Sequence, residues 1–428
     1  MQPHSPKRAA GTPLFLSDTP VRLAAATQPA APPRPAMLLR GRSPITPHLS
    51  HPALQPAPQF PDELWLRVLS HLPHRERNHF RATCRAARTL ANRLVKSLSP
   101  RKDMSRSWTT ELAARFPGVS SLHLNDGLTN AFVRRVIQAC SQLALTNLLI
   151  SMPREPDLPA LKQLTQLKQL ELDGAPCVNV GDLADLLRAL PLLQALKMME
   201  CSFTGEATVD LTGAAVSELT LGRSPHDQGW EDTDGYDIVA AALARLPDLT
   251  VLALSNMPKD STATETLLQQ ATGIASLELG GTGMPITPVV AAALHALPQL
   301  RSLWCYGFDI ADVLPLLTAL SGLTKLELLE LQDDGEADIP AATMALPHLR
   351  HLELEDVGLE PLTCLSTLTA LTELHLTKMD FDEDEMDACL AAVARLPDLK
   401  RVVLTETNVS AAGMQSLRSR SPAVEVYM

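Results

Sequence analysis

Three kinds of feature in this 428-residue chain could carry chemistry: a run of glycines, two runs of carboxylates, and the histidines. Gly280–Gly281–Thr282–Gly283 follows a predicted strand. Its spacing is not the G-x-G-x-x-G that lets a backbone approach a pyrophosphate, so it reads as a turn. Asp232–Thr233–Asp234–Gly235 has the flavour of a calcium loop. With Gly235 in the sixth place, however, Trp230 and Ala241 would be the first and twelfth ligands, and neither chelates. Asp380–Phe381–Asp382–Glu383–Asp384–Glu385 lacks the central glycine and reads as acidic residues opening a helix around Met386–Val393. The twelve histidines are dispersed along the chain, so no metal site is expected. No phosphate-binding loop, HExxH or GxSxG occurs. The expectation is a non-enzyme with no catalytic residues and no cofactor.

Binding chemistry remains, and the elements that would position it are repeats. An apolar pattern of the form Leu-x-x-Leu-x-Leu recurs with its first residue at Val119, Leu145, Leu167, Leu193, Val216, Leu249, Ile274, Leu300, Leu323, Leu349, Leu371 and Leu399. The spacings run 26, 22, 26, 23, 33, 25, 26, 23, 26, 22 and 28 residues. Twelve copies at a period in the twenties define leucine-rich repeats. Each unit sends its leucines inward from a short strand and its x residues outward. Ala/Leu-rich stretches such as Ile238–Ala244, Val289–Leu297 and Met386–Leu396 read as helices on the opposite side. Spacings of 22–23 leave room only for a turn or a 3₁₀ segment. No repeat buries its own face, so neighbours must stack. The expected fold is an α/β solenoid, a leucine-rich-repeat horseshoe of about twelve repeats over 119–428.

In such a solenoid the residue between the last two consensus leucines stands mid-strand on the concave face. Down the stack these are His123, Leu149, Glu171, Lys197, Thr220, Ala253, Glu278, Trp304, Glu327, Glu353, His375 and Val403. Two positions on come Asp173, Tyr306 and Glu355. Trp304 and Tyr306 are therefore candidate anchors for a protein target, since exposed Trp and Tyr dominate interface hot spots. In an irregular repeat both rings would instead be partly buried. Glu327, Glu353, Glu355, Asp356 and His375 complete the candidate surface. The longest spacing holds an insertion, 226–236, that places Trp230 and Tyr236 among acids, either as a candidate recognition loop or as a disordered one.

Ahead of the repeats, Phe60–Pro61–Asp62–Glu63–Leu64 opens a helical stretch whose Leu64, Val68, Leu69 and Leu72 form one apolar stripe, closed by Pro73. A second, arginine-studded stretch runs from Glu76 to about Leu94 and contains Cys84–Arg85. These residues resemble an F-box, whose pattern runs from Leu-Pro-x-Glu-Leu-Leu through Leu-Pro to Val-Cys-Arg-x-Trp. Ala87 stands where the family usually has Trp, and Arg77 where leucine is common. The resemblance implies docking on a Skp-type adaptor through Pro61, Glu63, Leu64, Val68, Leu69, Leu72, Pro73 and Cys84. Paired with leucine-rich repeats, it implies the substrate receptor of a cullin–RING (SCF-type) ubiquitin ligase. The alternative is a cytoskeletal or signalling scaffold whose F-box-like helices cap the first open layer of the solenoid.

Composition bounds the rest. Residues 1–59 form a Pro/Ala-rich tail expected to be disordered, 60–100 the F-box-like unit, and 101–118 a linker and cap. Residues 1–60 carry six basic residues against one acidic, 61–118 twelve against five, and 119–428 nineteen against forty-two. An acidic repeat region argues against nucleic acid and favours a target with a basic segment. Seven scattered cysteines without a CxxC pair fit reduced thiols of the cytoplasm or nucleus. The basic, Ala/Ser/Pro-rich start leaves an organelle transit peptide as a minor alternative, and no apolar run approaches the ~20 residues of a membrane span.

Overall fold

The protein is described from a computed structural model. It divides into two units, Met1–Gln59 and Phe60–Met428. The structure describes residues 68–72, 76, 89 and 91–100, and from 111 to 427 all but short stretches, the longest being 224–234 and 331–345. The predicted tail, most of the F-box-like helices and the insertion around Trp230 lie outside the described residues.

The second unit is organised by one parallel sheet of fourteen strands. In chain order these are β1 (Ser97–Leu98), β2 (Ser121–Leu124), β3 (Asn147–Ser151), β4 (Gln169–Asp173), β6 (Ala195–Met199), β8 (Glu218–Gly222) and β9 (Val251–Ser255). There follow β10 (Ser276–Gly280), β11 (Ser302–Tyr306), β12 (Lys325–Leu329), β13 (His351–Glu355), β14 (Glu373–Thr377), β15 (Arg401–Thr405) and β16 (Glu425–Tyr427). Two short strands, β5 (Val178–Asn179) and β7 (Phe203–Thr204), pair with each other outside this sheet. Spatial order follows chain order, so every rung is a neighbour in sequence, as leucine-rich repeats require.

All twelve predicted strands are present, each beginning two residues after the first apolar residue of its unit. The ladder gains one strand at each end. β1 pairs with β2 through Ser97–Ser121 and Leu98–Leu122, and both Ser120 and Ser121 donate to the Lys96 carbonyl at 2.9 Å. The first rung is thus supplied by the end of the helical segment, well before residue 119.

Alternation explains the core. In β13, Leu352 and Leu354 are fully buried while His351, Glu353 and Glu355 stand half-buried on the other face. The same pattern in its neighbours makes one continuous apolar core. Spacing sets what covers the other side. Among the described residues, spacings of 25 or more carry helices such as Asn130–Cys140, Ala263–Gln270 and Glu383–Val393, whereas the two 22-residue spacings hold a single turn, Leu158–Leu161, and a 3₁₀ segment, Leu362–Thr367. Asp382 caps its helix by accepting from Glu385 N–H at 2.9 Å, and Glu385 returns the bond to Asp382 N–H at 3.1 Å. The acidic run is a capping device, as expected.

One backbone feature recurs. The residue just after many strands turns left-handed: Glu200 (φ 52°), Asn256 (48°), Glu330 (47°), Asp356 (49°), Lys378 (51°) and Glu406 (53°). Each such turn costs a non-glycine residue on the order of 1–2 kcal/mol. Several carry an extra rung that offsets it, as where Asp356 N–H donates to the Thr377 carbonyl at 3.1 Å and Lys378 N–H to that of Thr405 at 2.9 Å. The asparagine ladder familiar in such repeats is replaced piecemeal. At Cys201, for instance, the buried thiol faces the Leu172 and Met199 carbonyls at 3.5 and 3.3 Å.

Tyr236 requires a correction. It is not a surface recognition residue but opens the helix Tyr236–Leu243, is fully buried, and donates from its hydroxyl to the Gly222 carbonyl at 2.9 Å. Its ring packs edge-on against Phe203, with centroids 5.2 Å apart. Gly235, at φ 74°, makes the entry possible, since a Cβ there would meet the Phe203 carbonyl at 2.1 Å.

Candidate functional site

Strand pairing turns three positions of each repeat into columns on the outward face of the sheet. The middle column is in unbroken register from His123 of β2 to Val403 of β15, and it includes every mid-strand residue read from the sequence. The column two positions on carries Asp173, Tyr306 and Glu355. Asp356 does not join them: it is the exposed left-handed turn residue beyond the end of β13.

Trp304 and Tyr306 are both half-buried, and their rings stack at 6.0 Å with 11° between planes. Trp304 lies between Glu278 and Glu327 in register. Burial and the Glu327 charge push the Glu278 carboxyl above its ordinary range. The Tyr306 hydroxyl is pushed up too, chiefly by its hydrogen bond to the Glu330 carboxylate. The rings therefore form an aromatic step with a carboxylate on either side. Such a step offers a flat apolar surface and acceptors to a cationic side chain.

Across β12, β13 and β14 the register sets Lys325, His351 and Glu373 in one column and Glu327, Glu353 and His375 in the next. His351 Nδ1 lies 3.2 Å from Glu373 Oε2. His351 Nε2 lies 3.7 Å from Glu353 Oε2 and 3.9 Å from Glu327 Oε1, and His375 Nδ1 is 3.7 Å from the same Glu353 oxygen. The imidazoles meet edge to face at 5.0 Å. Burial, then the neighbouring His351 charge, pushes the His375 imidazole below its ordinary range, whereas its bond to His351 holds Glu373 low. Lys325 pairs with Glu327, and Lys378 with Glu355 at 2.7 Å.

Sequence reasoning found His375, Glu327 and Glu353 but missed His351, Glu373 and Lys325. The signal was present, because a strand of period two places the residue two before the mid-strand position on the same face. Histidines 24 residues apart, dispersed in sequence, become neighbours through the repeat.

Of the proposed adaptor-binding residues, Val68, Leu69 and Leu72 are described. Residues 68–71 are helical; Val68 is 52% exposed, Leu72 is half-buried, and Leu69 is fully buried. Of these three, Val68 has the exposed side chain and Leu69 is enclosed. Pro61, Glu63, Leu64, Pro73 and Cys84 lie outside the described residues, as does Trp230. The thiols of Cys140, Cys201 and Cys305 are pushed up to about 12 by burial, so these three remain protonated and are poor nucleophiles.

The ladder and its buried leucines define the second unit as a leucine-rich-repeat solenoid. Residues 58–97 match the family model described as the F-box domain. A segment of 138 residues is 30% identical to Cuscuta receptor 1 of Solanum lycopersicum, covering 29% of this chain and 12% of that protein's length. Among solved structures, an internalin from Listeria monocytogenes is 17% identical, with a TM-score of 0.41 over 74% of this chain and 88% of its own. A leucine-rich-repeat protein of Leptospira interrogans is 15% identical, with a TM-score of 0.37 over 81% and 98%. The chain thus joins an F-box domain to a leucine-rich-repeat solenoid, and both are modules of protein interaction.

Proposed function

We propose that the chain is the substrate receptor of a cullin–RING (SCF-type) ubiquitin ligase. The F-box domain docks a Skp-type adaptor, and the outward strand face holds a protein target. The observation that carries this reading is the F-box match at 58–97, which ends on the first rung of the ladder. An adaptor-docking unit built into the target-holding unit suits a receptor that works by fixing geometry. The chain itself transfers nothing. It raises the effective concentration of the target near the charged ubiquitin carrier, in the cytosol or nucleus, where its thiols stay reduced. Trp304 and Tyr306 anchor the target, and the flanking carboxylates select a basic segment.

Co-expression with a Skp-type adaptor, followed by gel filtration, tests the reading. The expected result is co-elution that Val68→Asp abolishes without changing the melting temperature. Absence of co-elution, under conditions in which a standard F-box protein retains the adaptor, overturns it.

One observation favours a second reading, a scaffold whose F-box-like helices cap the solenoid: Lys96–Leu98 extend the ladder itself. On that reading, deletion of 60–98 lowers the melting temperature of the repeats, and no adaptor is bound.

A further inference from the structure

The carboxylate–imidazole cluster on β12–β14 is unlike the rest of the outward face. Among the described residues, His351 and His375 are the histidines whose Nε2 atoms are shielded from solvent without a protein hydrogen-bond partner. A shielded polar atom of this kind is costly to leave unbound, which favours anything that can bind it.

The His351 ring is oriented from behind. Nδ1 faces the Glu373 carboxylate at 3.2 Å, which places the proton there and leaves a lone pair on Nε2. A carboxylate behind an imidazole is the arrangement that aims histidine ligands at a metal. In front of Nε2 stand two further oxygens, Glu353 Oε2 at 3.7 Å and Glu327 Oε1 at 3.9 Å. These three donor atoms lie within 4.8 Å of one another. Tetrahedral zinc, with bonds of about 2.0–2.1 Å, holds its ligands about 3.4 Å apart. The two carboxylate oxygens therefore need to approach His351 Nε2 by only a few tenths of an ångström. His375, on the next strand, reaches the same Glu353 oxygen at 3.7 Å from its Nδ1 and is the imidazole nearest to hand as a fourth donor.

We propose that Glu327, His351, Glu353 and His375 form a binding site for a zinc-class divalent ion across three consecutive strands of the outward face. Imidazole nitrogens with carboxylate oxygens suit Zn²⁺, Co²⁺ or Ni²⁺, whereas Ca²⁺ and Mg²⁺ take oxygen alone. Lys325, paired with Glu327, is the built-in competitor; its side chain is 47% exposed and can swing aside. Arg401, next to Glu373 in register, is the other cation nearby. Bound metal would cross-link β12, β13 and β14 and add positive charge two strands from Trp304. This inference concerns the repeats alone and does not depend on adaptor binding.

The test uses tag-free full-length chain, its thiols alkylated, stripped with EDTA and titrated with ZnCl₂ by calorimetry. One equivalent is expected to bind, unaffected by millimolar Mg²⁺. Co²⁺ should give visible d–d absorption characteristic of mixed nitrogen and oxygen ligands. His351→Gln and His375→Gln should each weaken Zn²⁺ at least tenfold, measured at neutral pH on variants whose zinc-free melt remains cooperative. Lys325→Met should tighten binding, an effect that a purely structural role for the cluster does not produce. Zinc should raise the melting temperature of the native chain but not of His351→Gln. Binding of equal strength in the double variant, or no Zn²⁺ binding by the native chain, overturns the site. If the single variants unfold, Lys325→Met decides: unchanged or weaker zinc affinity overturns it equally.

Discussion

The outward faces over β2–β8 and over β10–β15 share one ladder and one core, yet their carboxylates meet different partners. Over β3–β6, Glu171 meets Lys197 at 2.8 Å, and Asp173 accepts from the Ser151 hydroxyl at 3.0 Å. A groove of ≈ 430 Å³ there is lined by polar residues such as Ser121, Asn147 and Gln169, the Glu171–Lys197 pair and apolar residues such as Leu149 and Ala195. Over β10–β14, Glu278 is flanked by Trp304, while Glu327 and Glu353 face imidazoles. On the outward columns of this half, Glu278 and Tyr306 are pushed above their ordinary ranges and Glu373 and His375 are held below theirs. Perturbed titration marks functional surfaces more often than passive ones. The difference separates what the scaffold needs from what has been placed upon it: inward residues repeat, and outward residues carry the distinction.

If the two halves are one scaffold, their cores must be equivalent, and here the largest effects are expected. Leu170 and Leu352 occupy the same inward position of β4 and β13, 1% and 0% exposed. Replacing either by Ala should cost about 2–5 kcal/mol. Urea midpoints measure it. A large loss at one site and none at the other would break the claim of a common ladder.

The next effect separates the halves. Trp304→Ala should lower affinity for a target that co-purifies with the intact chain by about 2 kcal/mol or more, with little change in melting temperature. Lys197→Ala, whose ion pair is half-exposed, should change affinity and stability by less than about 1 kcal/mol. A Trp304 variant that melts early and shows no separate binding loss would make that ring part of the core.

How much of this was legible in the sequence follows from the same division. The inward pattern is redundant, with three apolar residues per unit repeated twelve times, so the strands and their register could be read directly. The end strands could not, because Ser97–Leu98 and Glu425–Tyr427 are too short to show a unit. Tyr236 was misplaced because a glycine at φ 74° starts a helix inside what spacing alone marks as an insertion. Trp304, Glu327, Glu353 and His375 were found by a rule applied to one column. His351 and Glu373 escaped because the same rule was not carried two residues back. What no single repeat can reveal is the pairing of side chains across strands, since that chemistry exists only once register is set.

The smallest effect sharpens the comparison through pH. His375 is held below its ordinary value of 6.5 mainly by burial, then by the charge of His351, with Arg401 adding to the fall and Glu353 and Glu373 opposing it. The unfolded chain therefore takes up this proton first as pH drops. Stability tied to His375 is complete above about pH 6.5 and declines below it, down to the depressed folded value. Glu373, held below 4.5 by its bond to His351, adds stability that is present above 4.5 and lost at still lower pH. Glu278 works in the other sense: burial and the Glu327 charge raise it above 4.5, so its contribution falls as pH climbs from 4.5 through the raised value. Between pH 4.5 and 6.5 the two trends partly cancel in the native chain, leaving a shallow dependence. His375→Gln should unmask a decline in stability with rising pH, and Glu278→Gln should steepen the rise. Urea midpoints at half-unit pH steps distinguish these outcomes. A His375→Gln profile parallel to that of the native chain would mean that the His375 imidazole is solvated alike in the folded and unfolded chain, and the electrostatic character assigned to this face would vanish.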